Sequence, residues 1–393
     1  MSKSDIDPKE YPCLLIGMGG TGLKVLQKLK TQLLNKSPEL IAENGGSVMF
    51  LGIDTEPYEH LKHHPLKTGE YEPIGIDTNP KKFVENQLQK DGDYGIKTVW
   101  PEVDGQPYVL NQNTPIQMGA SQNRLIGRTA LFISSKDVFA RVKKTIRDFF
   151  HMDKVKQDDF LVPQVHIIGS IAGGTGSSLI FDVPYLVSLA AEDLNRHVYQ
   201  TGHFVMAGAF QGILKSQTQQ MRTKANTYTC LRELDHLYRK NAENESGQGQ
   251  PLWEVRYNAV VGTLDDDGNP KDIASKTPMD WVNIYHSQNE ENIGISEPEA
   301  MYDIISQAIS YSINGGINGK MLSANDNIKT ILNSLSTSHK ARPYSTLGVS
   351  TLELPIEALQ QYLAFSWAEQ LTRKKADHPY QQPEHQGQEG EEI

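Results

Sequence analysis

The sequence predicts an α/β protein with a doubly wound, mostly parallel sheet flanked by helices. Two stretches carry this prediction, residues 11–34 and Val165–Ala190, because each combines an apolar strand, a glycine-rich turn and a helical pattern. Fully apolar strands that alternate with helices are typical of parallel sheets, whose strands are buried on both faces. At 393 residues the chain is too long for one small core, so we expect one large domain with additions, or two domains.

Composition narrows the class of protein. The net charge of −10 argues against a general nucleic-acid binder. The sequence contains no apolar run of membrane-spanning length, and the polar N-terminus lacks the apolar core of a signal peptide. Only Cys13 and Cys230 are present, which argues against a disulfide framework. We therefore expect a cytoplasmic protein that has no membrane span and does not bind nucleic acid.

The second stretch predicts a phosphate site. Its strand, which contains Val165 and Ile168, runs into the turn GGTGSS and then into a helix that Pro184 is expected to kink. Glycines let a backbone approach phosphate oxygens, and N–H groups at a helix start point at negative charge. The alternative is a tight turn without a ligand. The predicted contacts are Ala172, Gly173, Gly174, Thr175, Gly176 and Ser177.

The first stretch holds a literal G-x-G-x-x-G between an apolar strand, residues 11–17, and a helix. Its candidate phosphate contacts are Gly19, Gly20, Thr21 and Gly22. Alone, this pattern is a dinucleotide fingerprint, so an NAD-dependent oxidoreductase with a Rossmann domain is one alternative. The acid after the next strand is Asp54, which follows Gly22 by 54 − 22 = 32 positions. A Rossmann domain has its acid after about 20 positions.

The GGTGSS turn, with Ser170 and Ile171 before it, resembles the tubulin/FtsZ signature GGGTGSG. Ala172 and Ser178 replace the first and last glycines of that signature. The resemblance extends over residues 11–335 and is closest to divergent bacterial tubulin-like proteins. It implies a domain that binds GTP or GDP with Mg²⁺.

Two loops extend the resemblance. Asp54-Thr55-Glu56-Pro57 resembles the Asp-x-Glu-Pro loop of tubulin and implies Asp54 and Glu56 as magnesium ligands. Carboxylates one residue apart at a strand end suit a magnesium ion, although an ordinary acidic loop is the alternative. Gly119 and Ala120 resemble the FtsZ loop that senses the terminal phosphate, and Arg124 either contacts phosphate or is solvated.

The ribose and base contacts come from the resemblance as well. Phe210-Gln211-Gly212 resembles a Phe-Glu-Gly segment and implies Gln211 at the ribose, while Arg222 resembles an arginine that reaches phosphate. Asn289 and Asp303 resemble the residues that hydrogen-bond guanine. A carboxylate suits guanine, which offers adjacent N1–H and N2–H donors that adenine lacks. Asp303 is therefore expected to set the choice of base.

The sequence departs from the family where hydrolysis is expected to occur. In FtsZ an Asn-x-Asp-x-x-Asp loop enters the site of the next subunit and positions the attacking water. Its acids would fall on Ala324 and Asn327, and only Asp326, one position out of step, offers a carboxylate here. Asp326 is thus the predicted catalytic acid of a GTPase completed by self-association. A nucleotide-bound scaffold that has no turnover but binds protein partners is a further alternative.

The predicted organisation has four parts. A flexible leader covers residues 1–10, and the nucleotide-binding domain covers 11–335 with an insertion over 241–280. A reduced C-terminal strand and helix region covers 336–376, and a disordered acidic tail covers 377–393. Further strands are predicted over 48–53, 203–209, 281–285 and 344–354, and further helices to Phe150, from Arg222, from Ser296 and over Ile356–Lys375.

Overall fold

The computed structural model describes most of the chain. The described residues are 12–61, 64–75, 77–89, 96, 100–110, 116, 119–152, 163–243, 277–288, 294–295, 297–314, 318–334, 344–347 and 356–377. The predicted leader, most of the predicted insertion, Asn289 and residues 378–393 of the predicted tail lie outside them.

The main sheet is parallel, which confirms the predicted fold class. Its seven described strands are β1 (Cys13–Met18), β2 (Val48–Asp54), β3 (Tyr71–Pro73), β6 (Gln164–Ser170), β7 (Tyr199–Val205), β8 (Trp281–Tyr285) and β9 (Tyr344–Ser345), in the order β3-β2-β1-β6-β7-β8-β9. A separate small hairpin pairs β4 (Glu102–Val103) with β5 (Gln106–Pro107). The strand order runs outward in both directions from the neighbours β1 and β6. That pair is the topological switch point, where open α/β sheets bind ligands.

Helices cover both faces of this sheet. They are α1 (Gly19–Lys36), α2 (Pro80–Leu88), α3 (Arg124–Ile133), α4 (Ser135–His151), α5 (Thr175–Leu179), α6 (Asp182–Glu192), α7 (Gln217–Glu243), α8 (Pro298–Asn314), α9 (Asn318–Ser334) and α10 (Ile356–Asp377). Alternate strand residues divide between two cores, as the period of two in a strand requires. Leu14 packs with α3, α4, α6 and α7, whereas Leu15 packs with α1 and α8.

Several predicted elements differ in detail. The helix around Pro184 is split at Ile180 and Phe181 into α5 and α6, which confirms the expected disruption and leaves the proline in the first turn of α6, where it needs no N–H partner. β7 lies earlier than the predicted 203–209, because polar residues from Tyr199 onward still pair with β6. α7 begins at Gln217 rather than Arg222.

The chain divides into two compact units, Met1–Gly348 and Val349–Ile393. β9 belongs to the first unit through its pairing with β8, so the division falls later than the predicted domain end at 335. The described part of the second unit is the helix α10. Among the described residues, no helix has both the length and the apolar character needed to cross a membrane.

Candidate functional site

The two glycine turns meet at the switch point of the sheet. β1 ends at Met18 and β6 at Ser170, and the turns that follow lie side by side. They lie where the parallel strands end, which is called the carboxyl edge of the sheet here; the amino edge is where the strands begin. Gly19 has a φ of 66°, which favours glycine, and a Cβ there would lie 2.8 Å from Gly176 N. Only glycines allow this close contact of the two backbones. The structure thus brings together the two predicted phosphate turns.

The glycines of these turns divide by what surrounds them. A Cβ on Gly20 or Gly173 would meet nothing within 4 Å, so both glycines border open space. A Cβ on Gly22 would instead lie 2.5 Å from Ile168 O, and one on Gly174 would lie 2.8 Å from the Cβ of Ala120. Gly20 and Gly173 therefore leave room for a ligand, whereas the other two permit close packing.

The first turn of α1 is suited to an anion. Met18 at its N-cap makes no side-chain cap hydrogen bond, and the turn contains no acidic residue. The N–H groups of a first helical turn have no partner inside the helix, and the helix dipole is positive at this end. Backbone donors next to open space at Gly20 therefore offer a site to negatively charged oxygens.

Hydroxyl groups and a buried carboxylate lie beside the second turn. Thr55 Oγ1 lies 2.9 Å from Thr175 Oγ1, and Asp54 Oδ1 accepts a 2.7 Å hydrogen bond from the Thr55 N–H. Asp54 is 5% exposed, and this burial raises the pKa of its carboxyl to about 6. The Glu56 carboxylate is 42% exposed and lies 3.9 Å from His60 Nδ1. Asp54 and the two threonines form a cluster of hard oxygen donors, whereas Glu56 is directed outward.

The loop of Gly119 and Ala120 forms one wall of the site. Gly119, Ser121 and Gln122 all have positive φ, and such backbone is strained for the last two. Strained residues persist where the surroundings hold them, and they concentrate at functional sites. Asn226 of α7 holds this loop in place, because its Nδ2 donates to the carbonyl oxygens of Gln122, Ala172 and Gly173 at 3.0–3.1 Å.

Sequence reasoning did not find Asn226. Its bonded partners lie 53 to 104 residues away along the chain, so no local pattern marks it. The role of Thr55 was also missed, although its position between two acids was a usable signal. Both side chains join segments that the predictions had treated separately.

Arg124 is held by partners on two helices. Its guanidinium makes two hydrogen bonds to the Glu233 carboxylate, at 3.3 and 2.5 Å, and a third to Ser177 O. Arg124 therefore forms an internal cross-link between α3, α5 and α7 in this structure, and its contact with phosphate stays a prediction. The Glu233 side chain is 30% exposed and lies 109 residues away along the chain, so sequence spacing does not reveal the pair.

The remaining predicted contacts with described positions are Gln211, Arg222 and Asp303. Gln211 Nε2 donates to Ala207 O and to Thr223 Oγ1, both at 3.2 Å, while Arg222 on α7 is exposed. Asp303 Oδ1 on α8 lies 2.8 Å from Lys28 Nζ on α1, and the Asp303 side chain is 45% exposed. Asn289 lies outside the described residues.

Asp326 lies at the amino edge of the sheet. It is an exposed residue inside α9, not in a loop as the family resemblance implied. Lys329, one turn later, places its Nζ 5.1 Å from the ring centroid of Tyr199, the first residue of β7. Asp326 is therefore near the amino ends of the strands, whereas the glycine turns follow their carboxyl ends.

The parallel sheet, with helices on both faces and two glycine turns at its switch point, defines a doubly wound α/β protein, and a family match makes the class specific. The chain belongs to the tubulin-like family, whose model, described as "Tubulin like", matches residues 14–373. This confirms the predicted resemblance to the tubulin/FtsZ superfamily. No curated protein matches the chain.

Several solved structures are similar to it. CetZ from Methanosaeta thermophila is 13% identical with a TM-score of 0.34, and the match covers 84% of this chain and 57% of that one. CetZ2 from Haloferax volcanii, a protofilament bound to GTPγS, is 12% identical with a TM-score of 0.36, covering 77% and 59%. TubZ from Bacillus thuringiensis serovar israelensis, a GTPγS-form protofilament, is 11% identical with a TM-score of 0.40, covering 79% and 58%. The match thus spans less than two thirds of each of these three relatives.

Proposed function

We propose that this chain binds GTP or GDP with Mg²⁺ and hydrolyses GTP when it self-associates. The observation that supports this most strongly is the meeting of two glycine turns at the β1–β6 switch point in a member of the tubulin-like family. Open space at Gly20 and Gly173 and the uncapped first turn of α1 suit phosphate oxygens. Phosphates at this place neutralise the positive end of α1.

Spacing along α1 supports a base site at Asp303. Lys28, which Asp303 contacts, follows Gly19 by 28 − 19 = 9 residues. At 1.5 Å per residue this is roughly 13 Å along the helix, which is comparable to the reach of a nucleoside from its phosphates. In this proposal Lys28 holds the Asp303 carboxylate in place, and the carboxylate accepts from the N1–H and N2–H groups of guanine.

The oxygen donors around Asp54 fit a magnesium ion. Mg²⁺ prefers one or two carboxylates together with waters and phosphate oxygens. Asp54 with the Thr55 and Thr175 hydroxyls would hold the ion, and Glu56 would act through water from its outward position. When bound, the ion neutralises charge on the phosphates. The buried Asp54 carboxylate thereby gains the partner that its burial requires.

Self-association is proposed because one chain cannot complete its own site. β6 has seven residues, which separates the two sheet edges by about 20 Å at ~3.3 Å per residue. Asp326 at the amino edge therefore reaches only the glycine turns of another copy. Ile328 and Ile331 beside it are 43% and 62% exposed, and Ile213 and Met221 near the opposite edge are 52% and 58% exposed. These apolar residues suit a head-to-tail contact.

Other functions have less support. The oxidoreductase alternative explains only the first glycine turn, and Asp54, its ribose acid, is buried against Thr55. A scaffold without turnover uses the same nucleotide site, so it differs only in hydrolysis. A cytoplasmic location belongs to this proposal, because both cysteines of the chain are free and buried.

The test combines binding and turnover. Purified protein is titrated with GTP, GDP, ATP and NAD by calorimetry, and phosphate release is followed over a protein concentration series with light scattering on the same samples. We expect tight GTP and GDP binding and a specific activity that rises with protein concentration. Preferential NAD binding would overturn the proposal. Tight GTP binding without phosphate release at any protein concentration would favour the alternative of a nucleotide-bound scaffold without turnover.

A further inference from the structure

Two segments that are distant in sequence touch each other beside the candidate phosphate site. Residues 119–122 form the loop before α3, called the wall loop here, and the second glycine turn follows β6. A Cβ on Gly174 would lie 2.8 Å from Ala120 Cβ and 2.9 Å from Gln122 N. A Cβ on Gly173, the preceding residue, would meet nothing within 4 Å. The position of the wall loop therefore helps to set the shape of the open space at the second turn.

The side chain of Asn226 bridges these two segments. Its Nδ2 donates to Gln122 O on the wall loop at 3.0 Å. It also donates to Ala172 O and Gly173 O on the turn, at 3.0 and 3.1 Å. Asn226 belongs to α7, which is part of neither segment. One amide group, whose two hydrogens are shared among three carbonyl oxygens, thus holds the loop against the turn.

A second residue of α7 holds the helix that follows the wall loop. Glu233 comes 233 − 226 = 7 residues after Asn226, so the two side chains lie on the same face of α7. The Glu233 carboxylate accepts two hydrogen bonds from Arg124, the first residue of α3. Arg124 Nε also donates to Ser177 O, just after the second turn. The helix α7 is therefore a common support for the wall loop and the second turn.

The wall loop needs this support because its backbone is unfavourable. Ser121 and Gln122 have φ angles of 47° and 63°, in the left-handed region that residues other than glycine rarely adopt. Such residues keep this conformation only where their surroundings fix it. Asn226 fixes the Gln122 carbonyl oxygen directly. Without this bond, the loop can relax away from the second turn.

The wall loop also lies next to the proposed magnesium site. A Cβ on Gly119 would lie 3.8 Å from Thr55 Oγ1, a member of the oxygen cluster proposed to hold the ion. In sites of phosphoryl transfer, the metal ion bridges the last two phosphates of a nucleoside triphosphate. The phosphate nearest to the wall loop is then the terminal one, which GTP carries and GDP lacks.

We propose that Asn226 is a positioning residue that gives the site its preference for GTP over GDP. It holds the wall loop in its strained conformation before the nucleotide binds, so GTP does not have to order the loop. GDP has no terminal phosphate beside the loop and gains little from this order. The inference rests on the proposed function and adds to it a residue that acts through the loop.

The test compares two nucleotides in one variant. Asn226→Leu removes the amide donor at nearly the same volume and suits a helix. Calorimetry with GTPγS and GDP in the presence of Mg²⁺ should show at least about a tenfold loss of GTPγS affinity and at most about a twofold loss for GDP. Asn226→Ala should give the same pattern should the leucine variant fail to fold. Equal losses for both nucleotides, or unchanged GTPγS affinity in a folded variant, would overturn the preference.

A second measurement does not depend on nucleotide. The Asn123 N–H donates to Ala120 O at 2.8 Å, so its hydrogen exchange reports on the order of the wall loop. In nucleotide-free protein, Asn226→Leu should speed this exchange at least about tenfold and leave exchange in β1 unchanged. Unchanged exchange at Asn123 would contradict the role of Asn226. Faster exchange with a parent protein that binds neither nucleotide would overturn the proposed function, and the preference with it, and leave Asn226 a structural bond.

Thr229→Val is the matched control on the same helix. The Thr229 hydroxyl is exposed and donates to Ala225 O within α7, so this variant also removes a hydrogen bond from α7. It does not alter a contact between α7 and the wall loop. We expect the ratio of GTPγS to GDP affinity and the Asn123 exchange rate to match those of the parent. A change in this control as large as that in Asn226→Leu would contradict the proposal.

Discussion

The two edges of the parallel sheet differ in the chemistry of their buried groups. At the carboxyl edge, the surroundings are backbone turns whose glycines bring N–H groups next to open space, with one buried carboxylate, Asp54. At the amino edge they include neutral polar side chains around a cavity, among them Gln164, His166 and Asn283. The difference teaches that backbone donors at helix starts suit multiply charged phosphates, whereas neutral amides and imidazoles offer an ion no counter-charge.

The largest expected effect is at the carboxyl edge. Gly173→Val places a branched side chain in the open space of the second turn, where a Cβ meets nothing within 4 Å. We expect the variant to fold and to lose GTP affinity by at least about 100-fold, which is roughly 2.7 kcal/mol. Calorimetry measures the affinity, and thermal unfolding checks that the fold is unchanged.

Two other glycines serve as controls for this prediction. Gly69 also borders open space but lies away from the turns, so Gly69→Val should preserve GTP binding. Gly174→Val should instead lower the unfolding temperature, because its Cβ would lie 2.8 Å from Ala120 Cβ and 2.9 Å from Gln122 N. Unchanged GTP affinity in a folded Gly173→Val protein would contradict a phosphate site at this edge.

The next effect is at the amino edge and depends on pH. The pKa of His166 is lowered by burial from 6.5 to about 4, so below pH 6.5 the unfolded chain takes up a proton that the folded chain refuses. The unfolding free energy therefore falls as the pH drops from 6.5 toward 4. Between pH 7 and pH 5 the loss is about 2 kcal/mol from this group.

His166→Gln tests the assignment, because glutamine keeps a polar side chain but does not titrate. Urea unfolding at pH 7 and pH 5 should show a smaller acid loss in the variant than in the parent protein. His151→Gln, at an exposed position on α4, is the control and should behave as the parent. An acid loss that is equal in the parent and in His166→Gln would place the acid sensitivity elsewhere.

What the sequence predicts well differs between the edges for a physical reason. Each glycine turn is a local pattern, because strand, turn and helix are contiguous, and so the fold class and both turns were predicted. The amino edge draws single residues from separate strands, such as Gln164 and Asn283, and no window of sequence contains them together. The contacts of Asn226 and the Arg124–Glu233 pair were not predicted for the same reason, because the bonded residues are 53 or more positions apart along the chain.

The third prediction concerns the proposed contact between the amino edge of one copy and the carboxyl edge of another. Asp326→Ala should reduce GTP turnover at least about tenfold and leave GTP binding nearly unchanged, because the acid acts only on the site of a neighbouring copy in the transition state. Phosphate release at high protein concentration measures the effect, and light scattering shows that assembly persists. Asp148→Ala, which changes a partly exposed acid on α4, is the control. Activity that is independent of concentration and survives Asp326→Ala would rule out a shared site.

The smallest expected effect concerns the choice of base. Asp303 is 45% exposed and already paired with Lys28 at 2.8 Å, so its contribution to binding is limited by solvent. Asp303→Asn keeps the shape but replaces one acceptor by a donor, and we expect GTP to bind more weakly by about 1 kcal/mol. Xanthine carries a carbonyl where guanine carries the N2 amino group. The variant should therefore bind XTP better than the parent does, since its amide donates to that carbonyl. Competition of GTP and XTP in both proteins measures the change, and Glu299→Gln, which alters the other acid beside Lys28 at 3.3 Å, is the control. An equal loss of GTP and XTP in Asp303→Asn would mean that Asp303 only positions α8 against α1 and does not touch the base.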